Sequence, residues 1–189
     1  MEPLITKHGI RPQIWQMLAQ PKGDTQQERV AAAAAGLLPL VETTKRLGCS
    51  LGIYNHGGWS GEPENMTAVV RYLRREHDAS HVGIVYNFHH GHEHIDRFPQ
   101  ALKLMMPYLL CVNINGMVDA DQVANGKKIV PVGSGQHEVG MLRQLQDSGY
   151  RGRIGILDHR SEIDAEESLR QNLKGLESLR TAELQRTGK

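Results

Sequence analysis

The sequence has few cysteines, no excess of either charge and no long apolar run, and each shortage excludes a class of protein. Two cysteines among 189 residues are too few for a disulfide framework. The formal net charge is +1, with 22 basic and 21 acidic side chains interspersed, which argues against a nucleic-acid or anionic-membrane partner. No apolar stretch approaches the ~20 residues of a membrane-spanning helix. The first residues also lack the cationic and apolar pattern of a signal peptide.

Short apolar segments alternate with amphipathic segments along the whole chain. Val30, Ala34, Leu37 and Val41 share one face of the first long helical pattern, although Pro39 predicts a kink or break there. Leu169, Leu173 and Leu176 share one face of the last. Five apolar segments are expected to be strands: IRPQIWQML, CSLGIYNH, HVGIVYNF, LLCVNING and GRIGILDH. The alternation predicts an α/β fold with a parallel sheet, in a single domain over residues 1–189.

Polar residues follow four consecutive strands and distinguish between the two common parallel architectures. A doubly wound sheet often carries a GxGxxG phosphate loop, and the segment GSGQHE lacks that spacing. A (β/α)₈ barrel instead gathers functional side chains at the carboxyl ends of its strands. Such side chains are Tyr54, Asn55 and His56, then Asn87, His89 and His90, then Asn113 and Asn115, and finally Asp158 and His159. The pattern favours the barrel.

Only five of the eight strands of such a barrel are found in this sequence. The chain is therefore expected to be the C-terminal part of a longer protein, or a short relative that self-associates as a homo-oligomer to cover its open sheet edge. The compartment stays unknown. The cytoplasm is the default expectation, and a signal peptide would have to lie in a preceding segment.

The segment HHGHEH, residues 89–94, places four of the ten histidines of the chain after the third strand. His90 and His92 fall on the same side if the strand continues, and with a nearby carboxylate two imidazoles can hold a metal ion. The other interpretation is a polar loop with mostly solvated imidazoles. A loop over the mouth of a barrel favours at least one ligand-facing histidine, and His90 is the first candidate.

Two glycine-containing loops offer further candidates. In NHGGW, His56 can carry a proton near neutral pH and Trp59 can face a sugar ring, or Trp59 simply anchors the loop. Asn113 and Asn115 point to the same side of their strand and suit sugar hydroxyls, or they satisfy each other internally. The segment GSGQHE, which contains His137, either cradles a phosphate through its N–H groups or forms a glycine turn.

The order and spacing of these segments resemble the sugar phosphate isomerase/epimerase family, whose members have xylose isomerase-like TIM barrels. LGIYNHGGW, VGIVYNFHH, LLCVNING, PVGSGQHEVGMLRQLQDSGYRG and IGILDH carry the resemblance. It implies that the five strands are strands 4–8 of a barrel whose first three β/α units are missing.

The resemblance also implies a site for a divalent metal, held in the family by two Glu, one Asp and one His on four strand ends. Here Tyr54, Asn87 and Asn113 occupy three of those positions, and the fourth falls near Leu157 or Asp158. Asn87, His90 and Asp158 are the residues left to hold Mn, Co, Mg or Zn. Amide and phenol groups bring no charge to a hard cation, so a chain without a metal is an equal expectation.

Two functions are expected from the resemblance. The first is an isomerase or epimerase of a small sugar, polyol or sugar phosphate, acting by proton transfer next to a carbonyl. His56, His90 and Asp158 would be catalytic; the residues expected to bind the substrate are Tyr54, Asn55, Trp59, Asn87, His92, Asn113, Asn115 and His137. The second is a non-catalytic, metal-poor relative that binds carbohydrate or serves as an interaction domain.

Overall fold

A computed structural model describes residues 2–187 and shows strands and helices in alternation. In this range the strands are β1 (Gln13–Gln16), β2 (Ser50–Tyr54), β3 (Val82–Asn87), β4 (Leu109–Ile114) and β5 (Arg153–Ile156). The helices are α1 (Glu2–His8), α2 (Gln26–Leu47), α3 (Gly58–Gly61), α4 (Pro63–Glu76), α5 (Phe98–Met105), α6 (Ala120–Ala124), α7 (Glu138–Asp147) and α8 (Ala165–Thr187). Each strand lies within one of the five apolar segments that predicted it.

The five strands form one parallel sheet in chain order, β1-β2-β3-β4-β5. Ile14 pairs with Leu51, and Leu51 pairs in turn with Val82. Strands that are neighbours in sequence are therefore neighbours in the sheet, with at least one helix between each pair. This connection is the one a β/α barrel uses, and it turns every carboxyl strand end in the same direction.

The described chain divides into two compact units. The first unit comprises the chain up to Tyr86 together with Lys103–Cys111. The second unit comprises Asn87–Leu102 together with the chain from Val112 onward. The prediction of a single barrel domain over the whole chain stays a prediction.

In the first unit, α2 and α4 cover β2. A capping box starts α2, with the Thr25 side chain accepting from the Glu28 N–H and the Glu28 side chain accepting from the Thr25 N–H. Gly48 ends α2 in the left-handed conformation at φ +64°. Pro39 does not break α2, because the helix runs on to Leu47. The stripe that includes Val30, Ala34, Leu37 and Val41 is buried as predicted.

In the second unit, α8 packs through polar and small residues, and two of its leucines are exposed. Ser168 and Asn172 are buried, whereas Leu169 is 49% exposed and Leu173 is 51% exposed. The inner face of α8 also includes Gly175, where an added Cβ would overlap the carbonyl oxygen of Val132. Small and polar residues therefore seat this helix, and these two leucines lie outside.

Three further features differ from the sequence patterns. The N-terminal helix α1 was not predicted, and the long segment before α7 contains the short helix α6. A 3₁₀ segment, His92–Arg97, precedes α5, which begins at Phe98. Among residues 2–187, no helix has both the length and the apolar character needed to cross a membrane.

Candidate functional site

The first unit carries four of the predicted site residues at the carboxyl end of β2 and in the loop after it. Tyr54 ends the strand, and Asn55 is fully buried directly after it. His56 is exposed, and its ring meets the Tyr54 ring edge-on with 6.2 Å between the centroids. The exposed imidazole is accessible to solvent protons, and its role as a proton carrier stays a prediction.

Trp59 is held by a closed ring of hydrogen bonds in the first unit. Its indole Nε1–H donates to Gln26 Oε1 at 3.0 Å, and Gln26 Nε2 donates to Asn65 Oδ1 at 2.7 Å. Asn65 Nδ2 closes the ring by donating to the Trp59 carbonyl oxygen at 2.8 Å. These bonds favour the interpretation of Trp59 as a loop anchor over that of a sugar-stacking face.

In the second unit, two asparagines at the ends of β3 and β4 meet. Asn113 Nδ2 donates to Asn87 Oδ1 at 2.6 Å, and both side chains are almost fully buried. A Cβ at Gly155 of β5 would overlap Asn113 Oδ1, so only glycine leaves room for that amide. The three strand ends thus converge on one buried amide pair.

Replacing Asn113 by aspartate removes the donor and faces two acceptors toward each other. We expect Asn113→Asp to lower the free energy of unfolding by about 1–3 kcal/mol, because Asn87 Oδ1 is left buried without its donor. Asn87→Asp keeps an acceptor at that place and should have a smaller effect. Urea unfolding of both variants measures the difference, and equal losses would contradict the assigned direction of the bond.

Asn115 is buried beside the amide pair on the same strand exit. Its Nδ2 donates to the Gly116 carbonyl oxygen at 2.8 Å, but its Oδ1 is buried without a hydrogen-bond partner. Buried polar atoms are nearly always paired in proteins, by protein groups, water or a ligand. The unpaired oxygen therefore identifies a place for a hydroxyl or N–H donor.

Three imidazoles from the ends of β3 and β5 form a cluster in the second unit, which we call the imidazole cluster: His89, His90 and His159. The His89 ring centroid lies 4.3 Å from that of His90 and 5.2 Å from that of His159. Burial, together with the neighbouring imidazoles and Lys128, lowers the pKa of His89 to about 3. His89 is therefore neutral at physiological pH, and its buried Nδ1 has no partner.

The lowered pKa of His89 predicts an acid-sensitive fold. Between about pH 6.5, the ordinary histidine value, and about pH 3, the unfolded chain binds more protons at this residue than the folded chain. Its contribution is therefore complete above that window and is lost as the pH falls through it. We expect His89→Gln to lose less unfolding free energy than the wild type between pH 7 and pH 4.5. Equal losses would contradict a buried, neutral His89.

His92 extends this arrangement along the chain. Its Nδ1–H donates to the His89 carbonyl oxygen at 3.1 Å, so the neutral ring carries its lone pair on Nε2. That Nε2 is buried and has no partner. Burial lowers the pKa of His92, and the bond to His89 opposes that effect only in part. His89 and His92 are thus partly buried, whereas the alternative interpretation of the histidine run was a loop of mostly solvated imidazoles.

Asp158 is held in a dense network at the end of β5. Arg160 donates to its carboxylate through the backbone N, Nε and Nη2 at 2.8–3.0 Å. Ser168 Oγ donates at 2.7 Å and Asn172 Nδ2 at 2.8 Å, both from α8. Burial alone would raise the pKa of Asp158, but these donors outweigh it and hold the pKa far below its usual range. The network joins the strand end to α8.

The arrangement of the side chains is poorly suited to a divalent metal held by Asn87, His90 and Asp158. The carboxylate of Asp158 accepts hydrogen bonds from Arg160, Ser168 and Asn172. Asn87 Oδ1 accepts a hydrogen bond from Asn113 Nδ2. Within residues 2–187, no group of three or more His, Cys, Asp or Glu side chains is placed to hold a metal ion. Metal binding by Asn87, His90 and Asp158 stays a prediction, and the chemistry proposed below does not depend on it.

The glycine-rich segment before α7 uses its N–H groups internally. Gly133 N and Gly135 N donate to Glu138 Oε1 at 3.0 and 2.8 Å. Gln136 N and His137 N donate to the Met117 carbonyl oxygen at 2.8 and 3.1 Å, and Ser134 N donates to that of Pro131. A phosphate needs such groups unpaired. The segment is therefore a glycine turn that caps α7, which was the second interpretation of its sequence.

A cavity of about 410 Å³ opens in the second unit beside this turn. His137 Nε2–H donates to Asp119 Oδ1 at 2.6 Å at its edge. The volume suits a monosaccharide-sized ligand. We call it the loop cavity, and it is lined by His92, Glu93, Ile95, Asp96, Val118, Asp119, Ala120, Val123 and His137.

Sequence reasoning placed His92 and His137 in the site but missed two of their neighbours. Asp119 and Glu138 were not among the predicted site residues, whereas His89 and His159 were named among the polar strand-end residues. An acidic residue in the first turn of a helix directly after a glycine turn is a recognisable signal for Glu138. The partner of His137 carried no such signal, since nothing in the sequence relates residue 119 to residue 137.

Comparison with known proteins is consistent with this fold. The family model described as xylose isomerase-like TIM barrel matches residues 7–179. Among curated proteins, none matches the sequence significantly. A solved structure of the IolI protein with a bound zinc atom has 17% identity and a TM-score of 0.68, over 95% of this chain and 66% of that one.

Two sugar epimerases are similar to the same extent. The 3-keto-D-glucoside 4-epimerase from E. coli has 18% identity and a TM-score of 0.63, over 95% of this chain and 67% of that one. D-psicose 3-epimerase in the presence of D-fructose has 14% identity and a TM-score of 0.65, again over 95% and 67%. The chain thus spans about two thirds of the length of these structures, which identifies its fold as an incomplete TIM barrel.

Proposed function

The chain belongs to the xylose isomerase-like TIM barrel family, and on that premise we propose that it is a sugar isomerase or epimerase. The proposed reaction moves a proton between carbon and a histidine, next to the carbonyl of a small ketose or polyol ketone. The observation that carries the proposal is the imidazole cluster, together with three buried and unpartnered atoms of the second unit: His89 Nδ1, His92 Nε2 and Asn115 Oδ1. A ligand with several hydroxyl groups offers both donors and acceptors to such atoms.

The proposed roles follow from the positions of the imidazoles and from the lowered pKa of His89. We assign His90 as the base that takes the proton from the carbon beside the carbonyl, so that the C–H electron pair moves onto the carbonyl oxygen. His89 is neutral, and a neutral imidazole can donate a hydrogen bond to the enediolate oxygen that forms. The imidazolium then gives the proton to the former carbonyl carbon, while the proton of the adjacent hydroxyl passes to the former carbonyl oxygen, so that the carbonyl moves by one carbon. Protonation of the original carbon by water from the opposite face would give the epimer instead. Asn87, Asn113 and Asn115 are proposed to orient the hydroxyls.

Asp158 receives a different role in this proposal. Its carboxylate has the low pKa of a paired acid and no spare place for a substrate proton, because Arg160, Ser168 and Asn172 surround it. We propose that Asp158 positions the end of β5, which carries His159 into the imidazole cluster. The roles of Tyr54, Asn55, His56 and Trp59 in substrate binding or catalysis stay predictions from the sequence.

The proposed substrate carries no phosphate. The N–H groups of the glycine turn are already bonded, and the loop cavity is lined by the carboxylates of Glu93, Asp96 and Asp119. Carboxylates accept hydrogen bonds from hydroxyls and repel phosphate. A free sugar or polyol therefore suits the second unit better than the sugar phosphate that the family resemblance left open.

Hydrogen exchange into a ketose in D₂O tests the proposal. D-Psicose, D-tagatose and D-fructose are incubated separately with the protein, and loss of the C–H signal next to the carbonyl is followed by NMR. The wild type should exchange that hydrogen, and His90→Ala should be slower by at least about 100-fold. His8→Ala removes an exposed imidazole on α1 and should exchange at the wild-type rate. Undiminished exchange in His90→Ala would contradict the assignment.

The second candidate function is binding without catalysis. The replacement of the family's metal ligands by Tyr54, Asn87 and Asn113 favours it, since the enediolate then lacks a cation to stabilise it. The same experiment separates the two candidates. Saturable binding of a ketose without hydrogen exchange would identify a carbohydrate-binding relative.

A further inference from the structure

Glu138 is a fully buried acid that the proposed chemistry does not use. It is the first residue of α7, and none of its surface is exposed. Its Oε2 accepts from Met117 N at 2.9 Å, and its Oε1 accepts from Gly133 N and Gly135 N. Three backbone donors therefore satisfy one carboxylate in the interior, which is the arrangement a buried charge requires.

The three donors belong to two separate segments, so the carboxylate ties those segments together. Met117 lies just after β4, whereas Gly133 and Gly135 belong to the glycine turn. The Met117 carbonyl oxygen accepts in return from Gln136 N and His137 N. At Gly135 an added Cβ would overlap both the Glu138 carboxylate and the Met117 backbone, so the two segments are in close contact.

The hydrogen bonds to Glu138 determine where two residues of the loop cavity lie. Asp119 is two residues beyond Met117, and His137 directly precedes Glu138. Their side chains meet at 2.6 Å and both line the cavity. Each side chain is partly exposed, at 54% for Asp119 and 32% for His137. A pair this accessible has little tendency to hold its own geometry, so the backbone beneath it must be held by something else.

We propose that Glu138 is a positioning residue for the loop cavity, and that it holds His137 and Asp119 together as the polar edge that meets a ligand hydroxyl. Glu138 itself touches no ligand, because its side chain is fully buried. The hydroxyl-bearing ligand rests on the proposed function. The clamp that Glu138 forms between Met117 and the glycine turn can be tested without any ligand.

Glutamine at position 138 changes one atom of the clamp and little of its shape. One carboxylate oxygen becomes an NH₂ group, which donates toward a backbone N–H that also donates. One of the two segments is thereby released while the side chain still fills its place. Ser168→Ala is the matched control, because it removes one buried hydrogen bond to Asp158 in the same unit and has no part in the clamp.

The test follows the ring N–H of His137 in full-length protein labelled with ¹⁵N-histidine. In the wild type and in Ser168→Ala, the imidazole proton bonded to Asp119 should be shifted downfield and slow to exchange. Glu138→Gln should lose that signal well below its melting temperature. A Glu138→Gln protein that keeps the signal, or a Ser168→Ala protein that loses it equally, would overturn the proposal. If Glu138→Gln does not fold, Glu138→Asp keeps the charge on a shorter side chain and should weaken the signal; an unchanged signal in Glu138→Asp would then count against the clamp.

Ligand binding gives an independent second readout. D-Psicose, D-tagatose and D-fructose are titrated into the wild type, Glu138→Gln and His8→Ala, and affinity should fall at least about tenfold in Glu138→Gln but not in His8→Ala, whose imidazole is exposed on α1. Wild-type affinity in a Glu138→Gln protein whose His137 signal is lost would overturn the positioning role. If the signal behaves as expected but none of the ketoses binds the wild type, the clamp stands and the proposed function fails.

Discussion

Asp158→Ala is expected to lower the free energy of unfolding by about 3–5 kcal/mol, more than any other single substitution proposed for this chain. The side chains of Asp158 and Arg160 are only 11% and 12% exposed, so removal of the carboxylate leaves a guanidinium largely out of water. Ser168 and Asn172 lose their acceptor at the same time. Denaturant unfolding at neutral pH measures the loss.

An exposed ion pair on α8 supplies the control for Asp158. Glu166 bonds Arg170 one turn along that helix, and both side chains are at least 70% exposed. Glu166→Gln should change the unfolding free energy by less than about 1 kcal/mol. If Asp158→Ala were no more destabilising than Glu166→Gln, the network at the end of β5 would contribute nothing, and Asp158 would be available for the catalytic role predicted from the sequence.

The same network has a definite pH dependence. The folded-state pKa of Asp158 lies below its unfolded value near 4, so the stabilisation is complete above that value and is lost as the pH falls below it. This pH range lies below most of the range, about pH 6.5 to about pH 3, in which protonation of His89 destabilises the fold. Acid unfolding of the wild type should therefore have two contributions, and Asp158→Ala should remove the contribution at the lower pH.

Gly175→Ala is the second large effect, with an expected loss of about 3 kcal/mol or more. The added methyl group would overlap the carbonyl oxygen of Val132, and neither that backbone nor α8 can move without disturbing Asn172. Gly140→Ala in α7 is the control, since nothing lies within 4 Å of its added Cβ. That change should stabilise the protein by roughly 0.5–1 kcal/mol, because alanine favours the helix. Equal stability of the two variants would contradict the packing of α8.

The positions of β2, β3 and β4 could be predicted from the sequence because burial on both faces leaves continuous apolar runs. The edge strands β1 and β5 are partly exposed, yet each lies within a predicted apolar segment. The register of helix faces was less predictable. Leu169 and Leu173 have the spacing of a core stripe, yet Ser168 and Asn172 face inward because Asp158 and the Val132 N–H provide polar partners for them. A polar network can reverse a helix face in this way, and its partners lie up to 40 residues away along the chain.

The site was predicted in part for a similar reason. Strand-end positions directed attention to Asn87 and Asn113, and their contact follows from parallel neighbouring strands. The pKa of Asp158 is lowered by hydrogen-bond donors, two of them on α8, although burial opposes this. The pKa of His89 is lowered mainly by burial. Neither the pairing of Asp158 with Arg160 and α8 nor the buried Nδ1 of His89 can be read from spacing alone.

The amide pair and His89 are both neutral groups at the ends of neighbouring strands or directly after them. At two positions where the family resemblance predicts metal ligands, this chain has an amide pair between Asn87 and Asn113. Neutral amides suit a neutral His89, since burial makes a charge on that imidazole costly.

Titration of ¹⁵N-histidine-labelled protein with D-psicose tests most directly whether the imidazole cluster is a sugar site. The ring signals of His89, His90, His92 and His159 should shift together and saturate with one dissociation constant, while the exposed His8 stays unchanged. Shifts confined to other histidines, or none at D-psicose, D-tagatose and D-fructose concentrations up to about 100 mM (~100 times a 1 mM dissociation constant), would contradict the account.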